Sequence, residues 1–141
     1  MNTNAPSPSL LNGLALSASL TVADLERSVA WYRDVLGFAI DQNHERNGRR
    51  IAVSLRAGEV RLLLGQDDGS RGTDRAKGEG FSLQITTDQN VDDIAKRITD
   101  DGVSLDLEPA DTPWGTRAFR FRDPDGFKFT ISTARPLQSL P

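Results

Sequence analysis

The chain repeats itself, and this duplication limits its fold more than anything in its composition. Residues 14–66 and 80–133 carry the same order of signals. Each stretch opens on a run that alternates with a period of two, the pattern of a half-buried strand. In the first, Leu14, Leu16, Ala18, Leu20 and Val22 share one face and Ser17, Ser19 and Thr21 the other; residues 81–87 repeat the pattern. A helix follows each run. Asp24 stands at the N-cap of an apolar stripe made by Leu25, Val29, Tyr32 and Leu36, and Gly37 closes it. Val91, Ile94, Ala95 and Ile98 have the same helical spacing within residues 90–101, and Gly102 ends that helix. Short strands complete each unit, at 38–41, 50–56 and 60–64 and again at 103–107, 114–122 and 127–132. The last two strands of each unit meet at a turn, around Gly58 in one and Asp123-Pro124-Asp125-Gly126 in the other. In the second turn Pro presets φ and Gly supplies a positive φ. The pattern predicts an α+β fold: two tandem βαβββ modules whose sheets curl into a mixed, cup-shaped sheet with the helices on its outer face.

The same reading sets the boundaries. Residues 1–13, rich in Asn, Pro and Ser, are expected to form a flexible tail, 14–133 a single domain, and 134–141 a C-terminal tail. Residues 67–79, rich in Gly and Asp, read as a linker between the modules or as a lid. Between them the two modules supply enough apolar residues for a core, which matters because the 141 residues include no cysteine. Disulfides, thiolate metal sites and cysteine nucleophiles are thereby excluded. A net charge of −3 argues against a nucleic-acid partner. No apolar run reaches the length of a membrane span and no signal-peptide pattern is present, so a cytoplasmic protein without a membrane partner is expected.

Two segments carry a resemblance. Residues 22–38, Val-Ala-Asp-Leu-Glu-Arg-Ser-Val-Ala-Trp-Tyr-Arg-Asp-Val-Leu-Gly-Phe, resemble the first strand-to-helix signature of the vicinal oxygen chelate superfamily. That superfamily includes glyoxalase I, bleomycin- and fosfomycin-resistance proteins and extradiol dioxygenases. Pro113-Trp114-Gly115-Thr116-Arg117-Ala118-Phe119, followed by Asp123-Pro124-Asp125-Gly126, resembles its closing signature. The resemblance implies a cup that, in the metal-dependent members, holds a divalent ion on four side chains drawn from His, Glu and Gln. Those positions fall here at Ser17, Leu62, Ser82 and Thr130. None of the four is a plausible primary ligand, and neither are the neighbours one position away. His44, the single histidine, lies in a stretch that reads as a polar turn.

A cup without that donor set needs another use. Alternation places Ser17, Ser19, Thr21, Ala52, Ser54, Arg56 and Leu62 of module one on the concave face. From module two come Ser82, Gln84, Thr86, Ala118, Arg120, Arg122, Lys128, Thr130 and Ser132. Arg120, farther from the turn than Arg122 and Lys128, is expected to reach the interior. Trp31 reads as core or subunit interface. Trp114, at a strand entrance, is placed either to stack on a flat ligand or to pack. Hydroxyls and cations suit hydrogen bonding to a small ligand of anionic or aromatic character better than acid–base catalysis. The expectation is a metal-free drug- or metabolite-binding protein of antibiotic-resistance type, with no cofactor, acting as a homodimer. The candidate ligand contacts are Ser17, Ser19, Arg56, Ser82, Gln84, Trp114, Arg120, Lys128 and Thr130; catalytic residues are not assigned. The alternative is an atypical lyase, isomerase or dioxygenase-like enzyme that uses the same cup without the usual metal ligands.

Overall fold

A computed structural model describes residues 10–72 and 74–135. Most of the two expected tails, residues 1–9 and 136–141, lies outside the described residues. Module one comprises β1 (Ala18–Val22), α1 (Leu25–Trp31) continuing into a π-helical turn (Tyr32–Leu36), β2 (Ala39–Arg46), β3 (Arg49–Ala57) and β4 (Val60–Gln66). Module two comprises β5 (Leu83–Thr87), α2 (Val91–Asp100), β6 (Leu105–Asp111), β7 (Arg117–Arg122) and β8 (Lys128–Thr133). Each module forms a four-stranded mixed sheet, β1-β4-β3-β2 and β5-β8-β7-β6, in which the first strand runs parallel to the last.

Local chemistry explains the helix ends. The Asp24 carboxylate accepts from the Arg27 N–H at 3.2 Å, and the Asn90 side chain accepts from the Asp93 N–H at 3.0 Å. These bonds satisfy N–H groups that a helix start leaves without partners. Gly37 ends the π-helical turn at φ 85°, a left-handed conformation that favours glycine.

Strand β2 differs from expectation. It runs to Arg46, so His44 sits in a strand rather than a turn. Nearly every side chain of this edge strand is exposed, so it lacks the apolar alternation by which a strand is recognised. His44 pairs with Ala52 of β3, and its Nε2 lies 3.3 Å from Ser54 Oγ.

Both modules contribute to one apolar core. Leu20, Val53, Leu55 and Leu64 from the first sheet join Phe119, Phe121, Phe129 and Ile131 from the second, together with Val29 of α1 and Ile98 of α2. Tyr32 links the two halves, its ring 6.0 Å from Phe129 and 5.8 Å from Phe38. Trp31, half-buried, lies edge-on to Tyr32 at 5.0 Å and 6.3 Å from Phe121, which makes it a core contact. Fully burying a Val, Leu, Ile or Phe side chain in this core stabilises the fold by about 1.5–3 kcal/mol each.

The duplication extends to individual ion pairs. Arg50 at the start of β3 binds Glu26, the second residue of α1, and Asn43 of β2. Arg117 at the start of β7 binds Asp92, the second residue of α2, and Asp111 of β6. In both modules an arginine thus joins a helix start to the edge strand.

The Asp123–Phe127 hairpin joins module two to module one. Asp123 Oδ1 accepts from the Asp125 and Phe127 N–H groups at 2.9 and 2.8 Å, which closes the turn on itself. Asp123 Oδ2 accepts from the Tyr32 hydroxyl at 2.6 Å. Asp125 accepts from the Ala23 N–H at 2.9 Å and from the Ser28 hydroxyl at 3.3 Å. Burial, with the Asp123 charge beside it, pushes the Tyr32 hydroxyl far above its usual range. Burial also pushes the Asp123 carboxyl up, against the opposing pull of its Tyr32 and Phe127 donors.

The 67–79 segment is tied down at both ends. Asp67 accepts from Lys77 Nζ at 2.7 Å and from the Gly69 N–H at 2.9 Å. Gly78 is buried at φ 79°, and a Cβ there would lie 2.6 Å from the Gly126 carbonyl oxygen. These contacts anchor Asp67 and Gly69 at one end and Lys77 and Gly78 at the other.

Candidate functional site

Strand register shows which side chains share the polar face of each sheet. On the first sheet Ser19 pairs with Leu63, and Leu63 with Ser54; Thr21 pairs with Gly65, and Gly65 with Ala52. Leu62 pairs instead with Leu55 and is buried, so it belongs to the core and not to the concave face as expected. Gly58 and Gly126 each stand two residues before the following strand, so Leu62 and Thr130 are both third in their strands. Yet Leu62 pairs with core residue Leu55 and Thr130 with Arg120 on the polar face; a count from the glycine does not fix the face. On the second sheet one row runs Gln84, Thr130, Arg120 and Leu107, and Arg122 pairs with Lys128 in the next.

Two adjoining cavities open on these faces. The first, about 530 Å³, lies between the modules; Ser17, Ser19 and Arg61 line it from one side and Ser82, Gln84 and Thr86 from the other. The second, about 420 Å³, lies on module two and is lined by Arg120, Arg122, Lys128, Thr130, Ser82 and Asp106. Phe81, Ser82 and Phe129 border both. Phe81 is 47% exposed and leans on Phe127 with ring centroids 6.2 Å apart.

Seven of the nine expected ligand contacts are thus gathered: Ser17, Ser19, Ser82, Gln84, Arg120, Lys128 and Thr130. Arg56 and Trp114 line neither cavity. Trp114 stands 57% exposed at the tip of a turn closed by Thr112 and Thr116, whose hydroxyls lie 2.7 Å apart. Arg120, expected to reach the interior, stays exposed, and Ser132 and Ala118 are buried despite facing the polar side. Two lining carboxylates escaped the sequence reading. Glu59 belongs to the β3–β4 turn, and Asp106 accepts from Arg122 at 2.9 Å across a strand pair.

The donor set does not fit a protein-held divalent ion. Ser17, Ser82 and Thr130 line the cavities, but hydroxyls are weak primary ligands, and Leu62, buried at the edge of the inter-module cavity, is apolar. Among the described residues no three His, Cys, Asp or Glu side chains cluster to hold a metal ion.

The sequence matches the family model of the glyoxalase/bleomycin resistance protein/dioxygenase superfamily over residues 14–131. The chain belongs to this superfamily. No curated protein matches it significantly. Solved structures agree on the fold. A superfamily member from Sphaerobacter thermophilus is 28% identical, with a TM-score of 0.66 over 85% of this chain and 97% of that one. An integron cassette protein from Vibrio cholerae is 27% identical, with a TM-score of 0.66 over 89% and 98%. TioX from Micromonospora sp. ML1 is 22% identical, with a TM-score of 0.68 over 84% and 98%, a likeness of fold alone. Within the superfamily this chain departs at the ligand positions implied by the shared signatures.

Proposed function

We propose that this protein binds a small drug or metabolite in the two adjoining cavities without a metal or other cofactor. The observation that carries the reading is the lining itself. Both modules supply hydroxyls, an amide and cations to one site, while the positions implied for metal ligands hold Ser17, Leu62, Ser82 and Thr130. Such a surface binds by hydrogen bonding and charge. An atypical lyase, isomerase or dioxygenase-like enzyme is the second reading. It draws on the 3.3 Å approach of His44 to Ser54, a pair that lines neither cavity.

Two measurements test the proposal. Elemental analysis of protein purified without chelator is expected to find no stoichiometric divalent metal; finding one would overturn the metal-free reading. A thermal-shift screen of antibiotics and small organic acids is expected to yield a stabilising ligand, since occupancy at a hundred times Kd adds about 2.7 kcal/mol.

A homodimer of cytoplasmic residence completes the proposal. Leu10, Leu14 and Leu16 precede edge strand β1 at 108%, 97% and 98% exposure, a degree of apolar exposure that pairing between copies would relieve. Among the described residues no helix is long and apolar enough to cross a membrane. Light scattering and cell fractionation test these two points.

A further inference from the structure

Charge is unevenly spread between the two cavities. In the one between the modules the cation is Arg61, already paired with Asp41 at 3.1 Å, and Glu59 offsets it further. The module-two cavity holds Arg120, Arg122 and Lys128 against a single carboxylate, Asp106, which Arg122 engages at 2.9 Å. Among the described residues no hydrogen bond or ion pair engages the side chain of Arg120 or Lys128. Outside this cavity, among the described residues, cations are paired at Arg33, Arg50, Lys77, Lys96 and Arg117 and unpaired at Arg27, Arg46, Arg49, Arg56 and Arg97, so what distinguishes Arg120 and Lys128 is that the two share one cavity. Two unpaired cations in one cavity of a protein whose net charge is −3 give that cavity a local positive potential, which favours an anionic ligand.

The strand register brings these two side chains within reach of one small group. Arg120 lies opposite Thr130 and Arg122 opposite Lys128, so Arg120 and Lys128 are diagonal neighbours on one face. Their Cβ atoms are therefore about 7–8 Å apart or somewhat less. A carboxylate between them can accept a forked pair of hydrogen bonds from the guanidinium and one from the ammonium, with the Thr130 hydroxyl at hand. Half-exposed Phe81 borders the same cavity and offers an aromatic surface beside the anion site.

Resting on the binding-cup reading, we propose that the ligand is a planar aromatic anion, its charged group held between Arg120 and Lys128 and its ring against Phe81. The neutral remainder of the ligand extends past Ser82 toward Ser17, Ser19 and Gln84 in the charge-balanced cavity. The inference joins the anionic and aromatic characters in one ligand and gives it an orientation, which the cup reading alone does not.

Calorimetric titration with 2-naphthoate, its neutral analogue 2-naphthamide and inorganic phosphate tests it. Naphthoate is expected to bind about tenfold or more tightly than naphthamide and than phosphate, in line with the strength of charge-assisted hydrogen bonds. Arg120→Ala and Lys128→Ala should each remove most of that preference, with Arg120→Lys intermediate because it keeps charge and loses the fork. Both side chains are unpaired, so unchanged melting temperatures verify that the variants fold. Raising ionic strength from about 0.01 to about 1 M should weaken naphthoate and leave naphthamide unaffected. Equal binding of naphthoate and naphthamide, or naphthoate affinity unmoved by either substitution, overturns the anion assignment and leaves the cup reading standing. Phosphate binding as tight as naphthoate overturns the aromatic part. Failure of all three probes, together with an empty thermal-shift screen, removes the cup reading as well.

Discussion

The Tyr32 hydroxyl donates a 2.6 Å hydrogen bond to Asp123 Oδ2, joining the helical segment of module one to the closing hairpin of module two across 91 residues of sequence. Both groups are buried. Tyr32→Phe leaves the Asp123 oxygen without its donor and should lower stability by about 1–3 kcal/mol in chemical denaturation. The bond favours ionised Asp123, so the variant's carboxyl should be pushed still higher than the wild type's. Protonation relieves the variant more, and the stability gap should narrow as pH falls through the carboxylate range. A gap independent of pH would show that the bond carries no such bias.

The tyrosine itself titrates in the other direction. Its folded-state pKa is raised, so its contribution is complete below the ordinary tyrosine value, about 10, and is lost as pH climbs above it. Wild-type protein should therefore lose stability between pH 9 and 11 more steeply than Tyr32→Phe, as read by thermal melts.

Asp67 behaves oppositely at the acid end. Its hydrogen bond from Lys77, and then the Gly69 N–H, hold its carboxyl down at about 2. A depressed carboxylate contributes stability that is complete above about pH 4 and lost as pH falls toward 2. Asp67→Asn should abolish this acid-sensitive share. Hydrogen exchange at Gly69 should also quicken in the variant at neutral pH.

Gly78 and Gly80 make a matched pair, since both sit at φ 79° but only Gly78 faces a backbone oxygen, 2.6 Å from where a Cβ would stand. Gly80→Ala should show the left-handed penalty alone, about 1–2 kcal/mol. Gly78→Ala should be clearly worse, because the Gly126 carbonyl must also move. Equal losses would mean that the 67–79 segment yields without strain.

These contrasts mark what could be read from the sequence. Period-two alternation placed Ser19, Arg120 and Thr130 on the polar face, and capping chemistry placed the helix ends at Asp24 and Gly37, because both signals are local. Leu62 was misplaced because a count from a turn glycine does not fix which face of the strand a residue takes, which the pairing with Leu55 decides. His44 was misplaced because an exposed edge strand needs no apolar alternation. The bonds from Asp123 and Asp125 to module one left no trace at all. Partners 91 to 102 positions apart are brought together only by the packed fold.

The hairpin bonds have one more consequence. Asp123 fixes the Phe127 N–H at 2.8 Å, and the next residue, Lys128, lines the module-two cavity. Cohesion between the halves and the shape of the cavity are therefore a single mechanical property. Substitutions at Tyr32 or Asp125, which line neither cavity, should emerge from a binding selection as affinity variants, and a bound ligand should in turn brace the joint between the modules.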